Sequence, residues 1–89
     1  MRQQQVEIVN RLGLHARAAA KLTQLAAKYQ CDVSLARNGR KVNAKSIMGV
    51  MMLAAGVGAT IRLETQGPDE AEAMTAMVEL IAGRFGEQW

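Results

Sequence analysis

Aromatic side chains are nearly missing from this sequence: one Phe, one Tyr and one Trp make up 3% of it. A core must therefore be built from Ala, Leu, Val, Ile and Met. Cysteine occurs once, as Cys31. No internal disulfide can form, which fits a reducing compartment. One cysteine and one histidine cannot make a metal site, so no metal is expected. Cys31 reads as a small, partly buried structural residue. No apolar run is long enough to span a membrane. The opening MRQQQVEIVN lacks the apolar run of a secretory signal, so a cytoplasmic protein is expected.

What is present suits one folded unit. The chain has 89 residues, 49% of them hydrophobic. That fits a single domain, 1–89, with one core, and argues against disorder. The net charge is +3, from 11 Lys and Arg against 8 Asp and Glu. The cations cluster: Arg11, Arg17, Lys21, Lys28, Arg37, Arg40, Lys41 and Lys45 share their stretch with one acid, Asp32. Glu64, Asp69, Glu70, Glu72, Glu79 and Glu87 lie later. A basic side facing an anionic ligand or partner is expected.

Residues 3–9 alternate as a strand, with Val6 and Ile8 on one face. From Ala16 to about Tyr29 the composition is helical, with Ala18, Leu22, Leu25, Ala26 and Tyr29 on one face. Val33 and Leu35 belong to a second strand. Asn38-Gly39 is a strong hairpin signal, and Val42 and Ala44 lie on the returning strand. Residues 46–53, SIMGVMML, read as a short helix capped by Ser46 and ended by Gly56 and Gly58. ATIRLETQG forms a strand burying Ile61, Leu63 and Thr65, with Thr60, Arg62 and Glu64 opposite. Gly67-Pro68-Asp69 is a turn, and Asp69 caps a last helix running to about Arg84. Ala73, Met77, Leu80, Ile81 and Arg84 trace that helix, and Gly83 and Gly86 mark fraying. The order β-α-β-β-α-β-α implies an α+β fold with helices on one face of a mostly antiparallel sheet.

The only histidine stands in LGLHARAAAKL, at the start of the first helix. A helix start favours Ser, Thr, Asp or Asn, so His15 breaks a local rule. Unpaired N–H groups and the helix dipole would surround its ring with positive potential. Arg17 can present a planar guanidinium to phosphate oxygens. Gly13 frees the backbone to bring the ring into place. A neutral imidazole is a good nucleophile. The chemistry that fits is reversible phosphorylation of the ring. Spacing alone leaves a second reading open, an ordinary exposed histidine with no acid nearby in sequence to orient it.

Taken together, GLHAR, NAKSIMGVMML and GPDEAEAM resemble the HPr family. These are the histidine phosphocarriers of the bacterial phosphoenolpyruvate-dependent sugar phosphotransferase system. The resemblance covers essentially the whole chain, with two motifs at the right separation. It implies an open-faced β-sandwich of four antiparallel strands and three helices. It implies that His15 accepts phosphate from phospho-enzyme I through Nδ1 and donates it to an enzyme IIA domain, in sugar uptake and its regulation. Arg17 would hold the phosphoryl oxygens. Ser46 would be the regulatory site in members that have an HPr kinase/phosphorylase. The protein would be a monomeric carrier rather than a stand-alone enzyme, needing no cofactor. The departure is Ala18, where the family normally has proline; the rigidity of the site is in question there, not the nucleophile.

Two further features admit two readings each. Ser46 as a helix cap explains itself; a phosphate there would add charge to a partner surface without melting the helix. Ile47, Met48, Met51 and Met52 are either core or an adaptable docking surface, with Val50 and Leu53 supplying the inward face. Ala16, Ala20, Lys21 and Gln24, with Lys28, would extend that surface as its rim. Three rivals bear on function. A nitrogen-branch (NPr-like) regulatory phosphocarrier shares the chemistry, and the KSIMGVMML segment favours the HPr-like member. A regulatory relative acting through Ser46 alone would not need His15 and Arg17. A basic RNA-binding domain would need stacking aromatics on its strands, and the predicted strands have none.

Overall fold

The computed structural model describes residues 1–88. Strand β1 (Arg2–Glu7) leads to helix α1 (Ala16–Ala26), then strands β2 (Asp32–Arg37) and β3 (Arg40–Asn43). Helix α2 (Ile47–Met52), strand β4 (Thr60–Gln66) and helix α3 (Glu70–Ala82) follow, and a 3-10 turn (Arg84–Gly86) closes the fold. The sheet order is β1-β4-β2-β3, every pair antiparallel. The expected α+β open-faced sandwich is thus the observed architecture.

The register places the apolar residues on one side. Val6 lies opposite Ile61, and Leu35 lies between Leu63 and Val42. This face and the buried stripes of the helices, including Ala18, Leu22, Val50, Met77 and Ile81, form one core. The Asn38-Gly39 hairpin is present, with φ of 53° and 80° at its two corners. Two adjacent positive-φ residues match the twist of the flanking strands.

Several element ends differ from expectation. Helix α1 stops at Ala26 rather than about Tyr29; Lys28 and Tyr29 instead bond back to Leu25 and Ala26 carbonyls, tightening the last turn. Ala54, not a glycine, takes the left-handed position after α2, at φ 51°. Asp69 makes no side-chain cap on α3. Its carboxylate accepts from the N–H groups of Gln30 (2.8 Å) and Cys31 (2.9 Å), tying the loop before β2 to the start of α3. Glu70 reaches back to the Gly67 N–H instead, at 3.1 Å. Cys31 is buried, and its thiol is pushed up to about 11 by that burial and by Asp69 beside it. It is an inert structural cysteine.

Two departures matter most. Arg84 is not helical, and the segment at Gly83 and Gly86 does not simply fray. Arg84 and Phe85 adopt φ of 58° and 54°, and the Phe85 ring turns fully into the core. Burying a phenylalanine is worth about 2–3 kcal/mol, which offsets roughly 1 kcal/mol for each left-handed residue. The core is therefore not purely aliphatic. Glu64 is likewise only 6% exposed, although it lies on the open face of the sheet. Lys41 from β3 (2.9 Å) and Arg62 from its own strand (2.8 Å) cover it and pair with it.

Candidate phosphoryl-acceptor site

The loop before α1 is held from several sides. Asn10 is fully buried, and the N–H of Gly13 bonds to its carbonyl at 3.1 Å. Gly13 sits at φ 66°, and a Cβ there would lie 2.6 Å from the Ala55 carbonyl oxygen. Both torsion and space therefore require glycine. The N–H of Leu14 donates to that same Ala55 oxygen at 2.9 Å, and the Leu14 side chain is buried. The segment after α2 thus abuts the start of α1.

His15 occupies the N-cap position of α1 with extended backbone angles and no side-chain cap bond. Its carbonyl accepts from Ala19 at 2.8 Å. The N–H groups of Ala16, Arg17 and Ala18 precede the first possible intrahelical acceptor, so they are left for an anion or for water. The His15 side chain is 29% exposed, enough for a partner to reach it.

The ring is oriented by a carboxylate that sequence proximity gave no hint of. Nε2 lies 2.5 Å from Oε2 of Glu87, 72 residues away. The other carboxylate oxygen, Oε1, accepts from Asn10 Nδ2 at 3.1 Å, and the same amide nitrogen donates to the Gly13 carbonyl at 2.8 Å. Hydrogen bonds from His15, then from Asn10, hold Glu87 below the ordinary carboxylate range against the opposing effect of burial. No acid lies near His15 in sequence, as expected, and the Phe85 turn carries Glu87 back to the site from 72 residues away. The signal in the sequence was the GRFGE segment, with a large apolar residue, Phe85, between Gly83 and Gly86 beyond a helix end.

The basic stretch is less free than its charge suggests. Arg37 donates to the carbonyls of Leu53 (3.1 Å) and Ala54 (3.3 Å), and Arg40 to Met52 (3.2 Å). These cations hold the C-terminal end of α2, as the helix dipole favours. Lys45 donates to Tyr29, and Lys41 pairs with Glu64. Lys21, expected on a docking rim, donates to the Phe85 carbonyl at 2.6 Å instead. Among the described residues, Arg17 has no hydrogen-bond or ion-pair partner. Its exposed guanidinium stands in the first turn of α1, beside the His15 position.

Ser46 is a true cap: its hydroxyl accepts from the Gly49 N–H at 3.1 Å, worth about 1 kcal/mol. Val50 and Leu53 face inward, as expected. Ile47, Met48, Met51 and Met52 are all exposed, Met48 to 70%. Leu12 and Val57, not singled out from sequence, are exposed as well, at 66% and 59%. Ala16 and Gln24 are exposed, Ala20 is half-buried and Ala18 is fully buried. No group of three or more metal-ligating side chains occurs among the described residues. None of their helices is long and apolar enough to cross a membrane.

Comparison with known proteins identifies the family. Residues 2–83 match the family model described as the PTS HPr component phosphorylation site. The phosphocarrier protein HPr of Cupriavidus necator is 66% identical over 87 residues, 98% of each chain. That of Neisseria meningitidis is 56% identical over the same length, again covering 98% of both chains. An HPr from Thermoanaerobacter tengcongensis superposes with a TM-score of 0.97 at 44% identity, over the whole of both chains. A dimer of HPr from that organism gives 0.79 at 45% identity, covering 98% of this chain and 100% of that one. A match of this extent to the family model, with relatives identical at more than half their positions, places the chain in the HPr family, the phosphocarriers of the phosphotransferase system.

Proposed function

We propose that His15 accepts a phosphoryl group from phospho-enzyme I on Nδ1 and passes it to enzyme IIA domains. The observation that carries this is the divided ring of His15: Nε2 is held by Glu87, while Nδ1 has no partner among the described residues. The Nδ1 lone pair attacks phosphorus, and the donor's bond to phosphorus breaks with its electron pair leaving on the donor. The unpaired N–H groups at the start of α1 and the Arg17 guanidinium stabilise the charge on the phosphoryl oxygens. The same contacts serve the onward transfer, in which the pair of the N–P bond returns to Nδ1.

The exposed Ile47, Met48, Met51 and Met52, with Ala16, Ala20 and Gln24, form the docking surface in this reading. Their flexible apolar side chains suit several partners in turn. Ser46 is the regulatory site where an HPr kinase/phosphorylase exists; its phosphate would sit beside Ile47 and Met48 and place charge on that surface. The chain acts as a cytoplasmic monomer. Light scattering checks this last point, since the Thermoanaerobacter relative also forms a dimer.

The test is direct. Native protein and His15→Ala are incubated with phosphoenolpyruvate and enzyme I, and intact mass is read. An acid-labile gain of one phosphoryl group, lost in the variant, is expected. No gain by the native protein with its cognate enzyme I would end the proposal.

A further inference from the structure

We infer that Met48, Met51 and Met52 are a redox modification site: a peroxide converts their thioethers to sulfoxides, which weakens partner docking until the oxygen is removed. The inference rests on the reading of this surface as the place where partners dock, and adds a regulation of it.

The sulfur atoms of this chain divide into sheltered and accessible ones. Cys31, the one cysteine, is buried and stays a thiol. Met74 and Met77 lie in the core. Met1 is exposed, but it stands at the far end of β1 from the His15 loop, its ammonium paired with Glu70. The other three of the six methionines all stand on α2, between 40% and 70% exposed. Their spacing of three and four residues puts them on one side of the helix. Val50, on the opposite side, is fully buried.

Other groups hold this helix in place. Ser46 caps its start, and Val50 and Leu53 anchor it in the core. Arg37 and Arg40 hold the carbonyls of Met52, Leu53 and Ala54 at its end. The methionine side chains can therefore change polarity without releasing α2. The helix also lies beside the acceptor. It packs against α1, and the N–H of Leu14, next to His15, donates to Ala55 just beyond α2. A partner that reaches the His15 ring must then cover the neighbouring methionines.

The chemistry balances. The sulfur lone pair attacks one oxygen of hydrogen peroxide. The S–O bond forms as the O–O bond breaks. The departing hydroxide takes the proton from the S–OH group and leaves as water. The thioether loses two electrons and the peroxide gains them. The product carries a strong acceptor where an apolar contact is needed, and burying it without a donor is costly. Two thiols reverse the step: they supply two electrons, become a disulfide and release the oxygen as water.

The test treats the folded protein with hydrogen peroxide, removes the peroxide, and measures phosphorylation by enzyme I at varied concentrations of this protein. Peptide mass mapping should place oxygen on Met48, Met51 and Met52 and leave Met74 and Met77 unchanged. KM should rise roughly ten- to a hundredfold with kcat unchanged, at an unaltered melting temperature. The two methionine sulfoxide reductases, one for each epimer, should restore the native KM with dithiothreitol as reductant. The triple variant Met48→Leu, Met51→Leu and Met52→Leu keeps the other methionines. Whatever its starting KM, peroxide should leave that value where it was. Absence of oxygen on the α2 sulfurs, a KM indifferent to it, or a response that persists in the triple variant would overturn the inference. So would a melting temperature that falls with the loss, since that would assign the effect to the core methionines. Met51→Asp without peroxide tests the docking reading separately, and should raise KM. No rise there would overturn the docking surface itself; a rise there with no response to oxidation would overturn the redox site alone.

Discussion

Glu64 on the open face of the sheet and Glu87 beside the start of α1 are both low-exposure carboxylates held by their neighbours. Glu64 is bracketed by Lys41 and Arg62, and both its oxygens are taken by permanent cations. Glu87 is bracketed by Asn10 and by His15, a ring that changes its charge state in the proposed reaction. The open-face cluster is the more highly charged of the two, yet every member has its partner. At His15 one ring nitrogen, a guanidinium and the first N–H groups of a helix have none among the described residues. A candidate site is therefore marked by bonding capacity left unused, and charge density alone would have pointed to the wrong face.

The largest effect is expected at Phe85. Phe85→Ala should cost about 3–5 kcal/mol of stability and release the turn that carries Glu87. Denaturant unfolding should show the loss, and acceptor activity should fall in whatever folded protein remains. The open-face cluster lies on the other side of the sheet and should keep its ion pairs.

Next in size is the contrast between two cations. Arg17→Ala should slow phosphoryl acceptance about a hundredfold, with an unchanged melting temperature. Lys41→Ala should do the reverse, lowering the melting temperature and leaving the transfer rate alone. Equal effects of the two on transfer would mean that bulk positive charge, not a placed guanidinium, serves the reaction.

Acid titration separates the carboxylates by what holds each of them. Glu64, Glu70 and Glu87 are all held below their ordinary value of 4.5, and Asp69 below 3.8. The chief cause is the Lys41 hydrogen bond for Glu64, backbone N–H bonds for Asp69 and Glu70, and the His15 bond for Glu87. A carboxylate depressed on folding adds stability that is fully present above its unfolded value and is lost as pH falls through the folded one. Stability should therefore fall on acidification below about 4.5 and not on moderate alkalinisation. Carbon-13 carboxyl titrations should place the midpoints of Glu64 and Glu87 below the ordinary value, and His15→Ala should raise only that of Glu87.

The smallest expected effect is at Ala18. Its N–H lies in the first turn of α1, where no intrahelical bond is lost on replacement. Ala18→Pro should raise stability by roughly 0.5 kcal/mol through the unfolded chain, with phosphorylation of His15 retained. A native protein that is silent toward phospho-enzyme I and revived by Ala18→Pro would show that the helix start needs the fixed torsion after all.

Much of the fold was legible because its signals are local. Alternation identified the strands, Asn38-Gly39 the hairpin, and Ser46 the cap of α2. GLHAR pointed to the helix-start histidine, and the motifs together to the family. Glu64 resisted sequence reasoning because its burial depends on which side chains the neighbouring strand brings over it. Asp69 looked like a helix cap because it precedes α3. A closer demand from the Gln30 and Cys31 N–H groups took its carboxylate, a contact made across nearly forty residues. Lys21 looked free on an exposed helix face, and the returning chain end claimed it.

The order of elements, the apolar side of each and the placing of His15 and Arg17 at a helix start were determined by the sequence alone, since periodicity, turn chemistry and capping act over a few residues. That Asn10 and Glu87 meet at the histidine ring is a product of long-range packing. Their meeting depends on Phe85 finding the core and reversing the chain after α3, and burial of a side chain by distant neighbours leaves no mark in the residues beside it.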